Sequence, residues 1–485
     1  MAIASGRALI FAIAIVAMRP EAAYAETLWD ALVSTYLSNP ELLSQRASLR
    51  ALDEEVPQAL AGWRPTVSFS GSAGVNRSDS SITSESTLKP LSGELTVTQP
   101  LYAGGGTVSG TRSAEASVEA ARATLRSVEQ DVLLEAVTAY MDVLRDSVRV
   151  QLTSNNVLVL ERQLEASRDR FEVGEVTRTD VAQSVARLSG AIADREAAEG
   201  DLATARATYE RIIGYAPGTL EPAPPLPDLP PTLEDALDIS IKENPDIVSA
   251  RFTATAARHD VRTSIADLLP TLDLVGDITR TDESSTKDVT TSSDSITAQV
   301  TVPLYQAGSE ASEVRQAKQT RSQRQVEVET AHREVLEATR QAWETWRSAT
   351  AQITALIEEV RANEIALEGV RQEAAVGSRT TLDVLDAEQE LLDARVNLVV
   401  AERDEYVAGF SLISAVGRLS ARRLELQVDV YDPEENYDRV RNRWWGLGTS
   451  NEDIGKASTR APQGPAAGRQ RRSARGNGVV APLTN

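Results

Sequence analysis

Apolar and polar positions along the chain follow two periods. Residues 27–62, and the proline-free stretches 106–172 and 309–375, read as helix. At about 1.5 Å per residue, each long stretch reaches ~100 Å as a helix, a length that usually signals coiled coil. The helices that follow carry candidate seams. Val181, Val185, Leu188 and Ile192 step by four and three, while Leu385, Leu392, Val396, Val399, Tyr406, Phe410 and Ile413 step by seven, four and three. Elsewhere the period is two. Val67, Phe69, Gly71, Ala73 and Val75 alternate with Ser68, Ser70, Ser72 and Gly74, and Leu95, Val97 and Leu101 alternate with Glu94, Thr96 and Thr98. Leu272, Leu274, Gly276 and Ile278, and then Ile296, Ala298, Val300, Val302 and Leu304, repeat the pattern. Four strands are therefore predicted at about 65–76, 92–101, 270–279 and 295–304, each with one apolar and one polar face.

Strands of about ten residues with this alternation suit a transmembrane barrel; two soluble hairpins capping a coiled coil are the plainer alternative. Residues 77–89 and 279–294, rich in Ser, Thr and Asp, read as exposed loops. Four strands cannot close a barrel, and lipid forbids an open edge, so a barrel needs several chains. Two chains would give a filled interior and three, with twelve strands, a lumen. Proline and glycine at 100–106 and 303–308 would end the strands and turn the chain into its helices.

The order of elements occurs twice. Thr27-Leu28-Trp29-Asp30-Ala31-Leu32 returns as Thr232-Leu233-Glu234-Asp235-Ala236-Leu237, Asn39-Pro40 as Asn244-Pro245, and Pro65-Thr66 as Pro270-Thr271, at a spacing of 205. Pro100-Leu101-Tyr102 and Pro303-Leu304-Tyr305 open a spacing of 203 that runs as far as Gly214 and Gly417. Prolines at 222, 224, 225, 227, 230 and 231 make the join a stiff linker. The expected organisation is a first repeat at 26–220, a linker at 221–231, a second repeat at 232–430 and a C-terminal region at 431–485. Asn39 and Asn244, each followed by proline and an acid, should cap helices that restart there.

The N-terminus adds a compartment. Arg7, the apolar run 8–18 and the pattern Ala23-Tyr24-Ala25 read as a signal peptide over 1–25, with cleavage before Glu26. About 11 apolar residues are too few to span a bilayer of ~30 Å. Composition then narrows the chemistry. The 485 residues contain 50 Lys plus Arg against 71 Asp plus Glu, a net charge of −21, which disfavours nucleic acid as a partner. There is no cysteine, and the 2 histidines, His259 and His332, offer no His-rich metal site; no cofactor, metal or catalytic set is expected. Residues 446–485 carry six Lys or Arg against two acids and read as a disordered periplasmic tail.

Taken together, the signal peptide, Asn-Pro in the first helix, Pro-Leu-Tyr-x-Gly after the second strand, Val-Gly-x-x-Thr-x-x-Asp-Val at the far helical turn, the Pro-rich join and the duplication resemble the TolC family of outer-membrane efflux proteins. The resemblance covers about residues 26–430. It implies a mainly α fold with a transmembrane β part: a homotrimer sharing a 12-stranded barrel, continued by a periplasmic coiled-coil barrel. It also implies a passive exit duct served by a periplasmic adaptor and an inner-membrane ABC or proton-driven transporter. In the segment similar to the family's closed end, Asp383 and Asp386 lie three apart on one helix face, and in a trimer they would ring the axis with carboxylates whose repulsion raises some pKa values. Arg379 matches the arginine that ties neighbouring helices, with Asp180 as its natural partner. Five residues before it, where the family's namesake has a tyrosine, stands Ala374. The turns Val173-Gly174 and Val376-Gly377 occupy the place where the family meets its adaptor. A periplasmic adaptor or scaffold remains the alternative class; it would show one helical hairpin and lipoyl-type β modules.

Overall fold

The computed structural model describes residues 25–79 and 86–449. The expected signal peptide, apart from Ala25, and the expected tail from residue 450 lie outside the described residues.

The order is α1 (Leu28–Ser38), α2 (Pro40–Asp53), α3 (Glu55–Leu60), a 3₁₀ turn (Ala61–Trp63), β1 (Thr66–Ala73), β2 (Asn76–Ser78), β3 (Ser86–Leu88), β4 (Leu91–Ala103), α4 (Gly106–Glu172) and α5 (Arg178–Ile213). There follow α6 (Leu233–Glu243), α7 (Pro245–Ala266), β5 (Thr271–Asp282), β6 (Thr290–Thr301), α8 (Ser309–Ala375), α9 (Thr381–Ala415) and α10 (Glu435–Val440). The opening helix restarts at Asn39, whose side chain accepts from the amides of Glu41 and Leu42 while Pro40 opens the next turn. Asn244 does the same for α7. A further break at Glu54, where no side chain caps α3, was not visible in the pattern.

Four strands form one antiparallel sheet in the order β1-β4-β5-β6, so β4 and β5, far apart in sequence, are its central pair. Several boundaries differ from expectation, and β1 ends at Ala73, short of the expected residue 76. β5 runs on to Asp282 and β6 begins at Thr290, so the loop at 279–294 shrinks to 283–289, because Thr279–Asp282 and 290–294 pair through their backbones whatever their side chains. β6 ends at Thr301, and Val302 and Leu304, expected in the strand, lie beyond it. β2 and β3, all but Asn76 within the stretch 77–89 expected as a loop, pair instead as a separate short ribbon, since backbone pairing needs no apolar side chains.

The long helices pair as hairpins, α4 with α5 and α8 with α9, and α4 also packs along α7 and α9. The main core gathers Leu28, Leu32, Leu49, Leu133, Tyr140, Tyr209, Ile213 and Phe410. The seam on α5 departs from the expected one. Its buried side chains are Ser184, Ala191, Ala198, Ala205 and Ile212, spaced by seven, whereas Val185 and Ile192, one position round the helix, are exposed. On α9, Leu385, Tyr406, Phe410 and Ile413 are buried as expected, but the stripe between them is Leu391, Ala394 and Ala401, with Leu392, Val396 and Val399 only half-buried. Small residues let two helix backbones approach closely, and the wider aliphatic stripe is left on an outer face. The Pro-rich join is extended, yet it is a strap rather than a free spacer: Leu226 and Leu229 pack on the core, and a Cβ at Gly409 would stand 2.8 Å from Leu226.

Candidate functional site

Two regions carry features beyond packing: the sheet and, at the other end of the hairpins, the helical tips. In the sheet, register converts alternation into two chemically distinct faces. One face carries the rows Val67, Val97, Gly276, Ile296 and Phe69, Leu95, Ile278, Asp294. The opposite face carries Ser68, Thr96, Asp277, Ser295 and Ser70, Glu94, Thr279, Ser293. A register shift at Leu101 keeps Tyr102 level with Leu272 and Val300, on the apolar side. That apolar face is bare in the single chain: Phe69 is 75% exposed and Ile296 82%. β1 and β6 each have an unpaired edge among the described strands. At the helix end of the sheet, Gln99 donates to the Trp63 carbonyl at 3.0 Å, and Arg64 stacks 5.0 Å from the centre of the Trp444 ring.

The tips are built twice from the same local grammar. α4 ends at Glu172, is capped by Val173 and turns through Gly174 at φ 81°, with the Glu175 amide reaching back 2.9 Å to the Arg170 carbonyl. α8 ends at Ala375, is capped by Val376 and turns through Gly377 at φ 80°, with the Ser378 amide 3.0 Å from the Glu373 carbonyl. The 6→1 bonds explain the glycines, since the left-handed turn is what a Cβ resists. Val173 and Val376 project into solvent. Thr177 and Thr380 then open α5 and α9 with capping boxes closed by Asp180 and Asp383.

The capping boxes redefine the sequence-derived residues. The Asp383 carboxylate accepts the Thr380 amide and hydroxyl, each at 2.8 Å, and those bonds hold its pKa below the usual carboxylate range. Asp180 is held down in the same way by Thr177. Asp386 does not share this position; it is bonded to Arg187 of α5, one heptad beyond Asp180. Nor does Arg379 pair with Asp180 within the chain: its guanidinium meets Glu373 at 2.9 Å, which raises its pKa further. Asp180 is committed to its cap, and Glu373 is the nearer acid on Arg379's own turn. Arg187 and Glu373 are thus the partners that sequence reasoning passed over. Arg187 lay open to discovery, because a seven-residue step from Asp180 returns to the same helix face. Ala374 leaves only its backbone in the turn, accepting from the Gly377 amide at 3.0 Å. Below the tips, Val157, Leu160, Ala191 and Leu385 form a small core that joins α4, α5 and α9.

Comparison with known proteins accords with this geometry. Residues 32–215 and 236–418 match the family described as outer membrane efflux protein. The outer membrane efflux protein BepC of Brucella suis biovar 1 (strain 1330) is 37% identical over 430 residues, covering 88% of this chain and 93% of that protein. The outer membrane protein TolC of Escherichia coli (strain K12) is 27% identical, covering 82% and 84%. The alkaline protease secretion protein AprF of Pseudomonas aeruginosa is 29% identical, covering 62% and 64%. Among solved structures, CusC superposes with a TM-score of 0.73 at 18% identity, over 81% of this chain and 92% of that one. The Campylobacter jejuni outer membrane channel CmeC gives 0.73 at 15% identity, over 86% and 89%. With both halves matched and a 37% identical relative covered almost end to end, the chain belongs to the outer membrane efflux protein family.

Proposed function

We propose that three copies of this chain close one twelve-stranded barrel in the outer membrane and stack their hairpins into a periplasmic duct. The observation that carries this reading is the four-stranded sheet, bare and apolar on one side, Ser- and Thr-lined on the other, and open at both edges. No described helix is long and apolar enough to cross a membrane. Pairing β1 of one chain with β6 of the next removes every edge, turns the apolar face to lipid and the polar face to a lumen. The two hairpins α4/α5 and α8/α9 continue from the strands, unlike the single hairpin an adaptor would show.

Each half of the matched sequence, 32–215 and 236–418, then supplies two strands and one hairpin. The relatives are named for efflux and for protease secretion, and the same passive duct serves either, with a periplasmic adaptor and an inner-membrane transporter supplying cargo and energy. Val173-Gly174 and Val376-Gly377, projecting from the tips, are the adaptor contact. Asp383 and Asp386 from three chains form the aperture ring, and Arg379 and Asp180 make their tie between chains. The test is fractionation. The protein is expected in the outer membrane, as a trimer that survives mild detergent; recovery as a periplasmic monomer overturns the barrel and the oligomer together.

A further inference from the structure

Glu26 is 2% exposed, and its setting is unusual for a carboxylate. Asp146, equally buried, is paired with Arg145 at 2.8 Å, and Asp53 takes the Asn436 amide at 2.8 Å within the field of Arg122. Glu26 has no cation among the described residues. Its carboxylate accepts from the hydroxyls of Tyr209, on α5, and Tyr215. The Tyr140 hydroxyl, on α4, lies 2.9 Å from the Glu26 carbonyl and 2.8 Å from that of Glu221. The Glu221 amide donates to the Glu26 carbonyl at 2.9 Å, and the Glu26 nitrogen donates to the Thr219 carbonyl at 2.8 Å. The charged groups acting on this cluster from its neighbours, Glu221 near Tyr140 and Asp30 near Tyr215, are also acidic. A buried carboxylate surrounded by phenols, carbonyls and further acids, without a cation, is costly.

We propose that the pocket formed by Tyr140, Tyr209, Tyr215 and the 219–221 strap is a receptor for the chain's own processed amino terminus, whose ammonium is the counter-charge of Glu26. A peptidase hydrolyses the Ala25–Glu26 amide: water's oxygen goes to the Ala25 carbonyl carbon, which leaves as a carboxylate, and the Glu26 nitrogen keeps its bonding pair and is protonated. The small-x-small pattern Ala23-Tyr24-Ala25 precedes that bond. The new cation sits one glutamate side chain away from the buried anion, with the Thr219 carbonyl as a ready acceptor. Because Glu26 is enclosed in the folded chain, cleavage precedes docking, and the uncleaved chain would bury the carboxylate with a neutral amide in place of the ammonium. Processing therefore tightens the point where the strap, α4 and α5 meet.

Three measurements on the full processed chain decide this. Mass spectrometry of the mature protein should give Glu26 as the first residue; a different terminus overturns the proposal. Acetylation at near-neutral pH favours the α-amine (pKa about 8) over lysine (about 10.4). It should lower the melting temperature by at least ~3 °C in the wild type, and by under ~1 °C in Glu26→Met, where the charge to be compensated is gone. Equal shifts in both proteins, as a steric effect of the acetyl group would give, or no shift in the wild type, overturn it. If Glu26→Met fails to fold, the rate of acetylation in the wild type decides. A docked ammonium should react at least tenfold more slowly in the native protein than in urea, and equal rates overturn the receptor.

Discussion

α4 and α8 have the same length, 67 residues, both start after a left-handed glycine and both end in a Val-Gly turn, yet α4 buries 25 side chains and α8 buries seven. α4 packs against α1, α2, α3, α5, α7 and α9, and the C-terminal segment lies along it through Arg441 with Glu115 and Arg122 with Glu434. Its alanines at 114, 116, 120, 121 and 123 admit neighbours on several sides. α8 touches α6, α7 and α9 and shows Val326, Ile357 and Ile365 to solvent. Matching secondary structure therefore hides unequal roles. α4 is the axle of the single chain, whereas α8 leaves most of its side chains to the neighbour that the proposed trimer supplies.

The sharpest way to break this comparison is to truncate one apolar residue on each helix. Leu133→Ala, at a fully buried position on α4, should cost ~2–5 kcal/mol and reduce folded protein sharply. Ile365→Ala on α8, 70% exposed, should leave the folding of the chain within ~0.5 kcal/mol. Its effect should appear instead as easier dissociation of the proposed trimer on native gels. Thermal melts followed by circular dichroism check the first; equal destabilisation by the two substitutions would show that α8 is as self-sufficient as α4.

The sheet offers the same contrast between adjacent residues. Ile296→Arg places a charge on the apolar face and should cost ~2–4 kcal/mol near mid-membrane, lowering the outer-membrane fraction of the protein. Thr297→Arg, next to it but on the polar face, should be recovered in the membrane at wild-type level with altered single-channel conductance. If both are lost equally, the apolar face does not meet lipid.

Much of this was legible in the sequence, for physical reasons. Strand faces follow from a period of two, and pairing preserved it: Val67, Val97 and Ile296 do fall on one side. Helix restarts at Asn39 and Asn244 were readable because capping is local. The seams were not. Hydropathy points to Val185 and Ile192, but a close-packed hairpin prefers Ala191 and Ala198, and the larger side chains stay outside. Ion pairs were the least legible, since Arg379 and Asp180 each have a nearer partner on their own turn, in Glu373 and Thr177.

The last and smallest effect sets one tip aspartate against the other. In the aperture proposed here, multivalent cations entering from the periplasm should block the pore by bridging carboxylates. Mutual repulsion in a ring would raise the pKa of some members, whereas the bonds from Thr380 hold that of Asp383 down. The pH dependence decides which wins. A carboxylate with a depressed folded pKa lends its cap stability above the unfolded value, near 3.9, and loses it as the pH falls through the lower folded value. If capping wins, the block should persist in planar bilayers from pH 7 down to about 5 and fade only below about 4. A block that disappears between pH 7 and 5 would show that repulsion in the ring overrides the caps. Asp386→Asn should weaken the block with little effect on folding, since Asp386 is half-exposed and its pair with Arg187 is of a kind worth under ~1 kcal/mol. Asp383→Asn should also loosen the start of α9, because it removes the carboxylate that closes the Thr380 box. Faster hydrogen exchange over residues 380–384 in Asp383→Asn, absent from Asp386→Asn, would separate the cap from the charge.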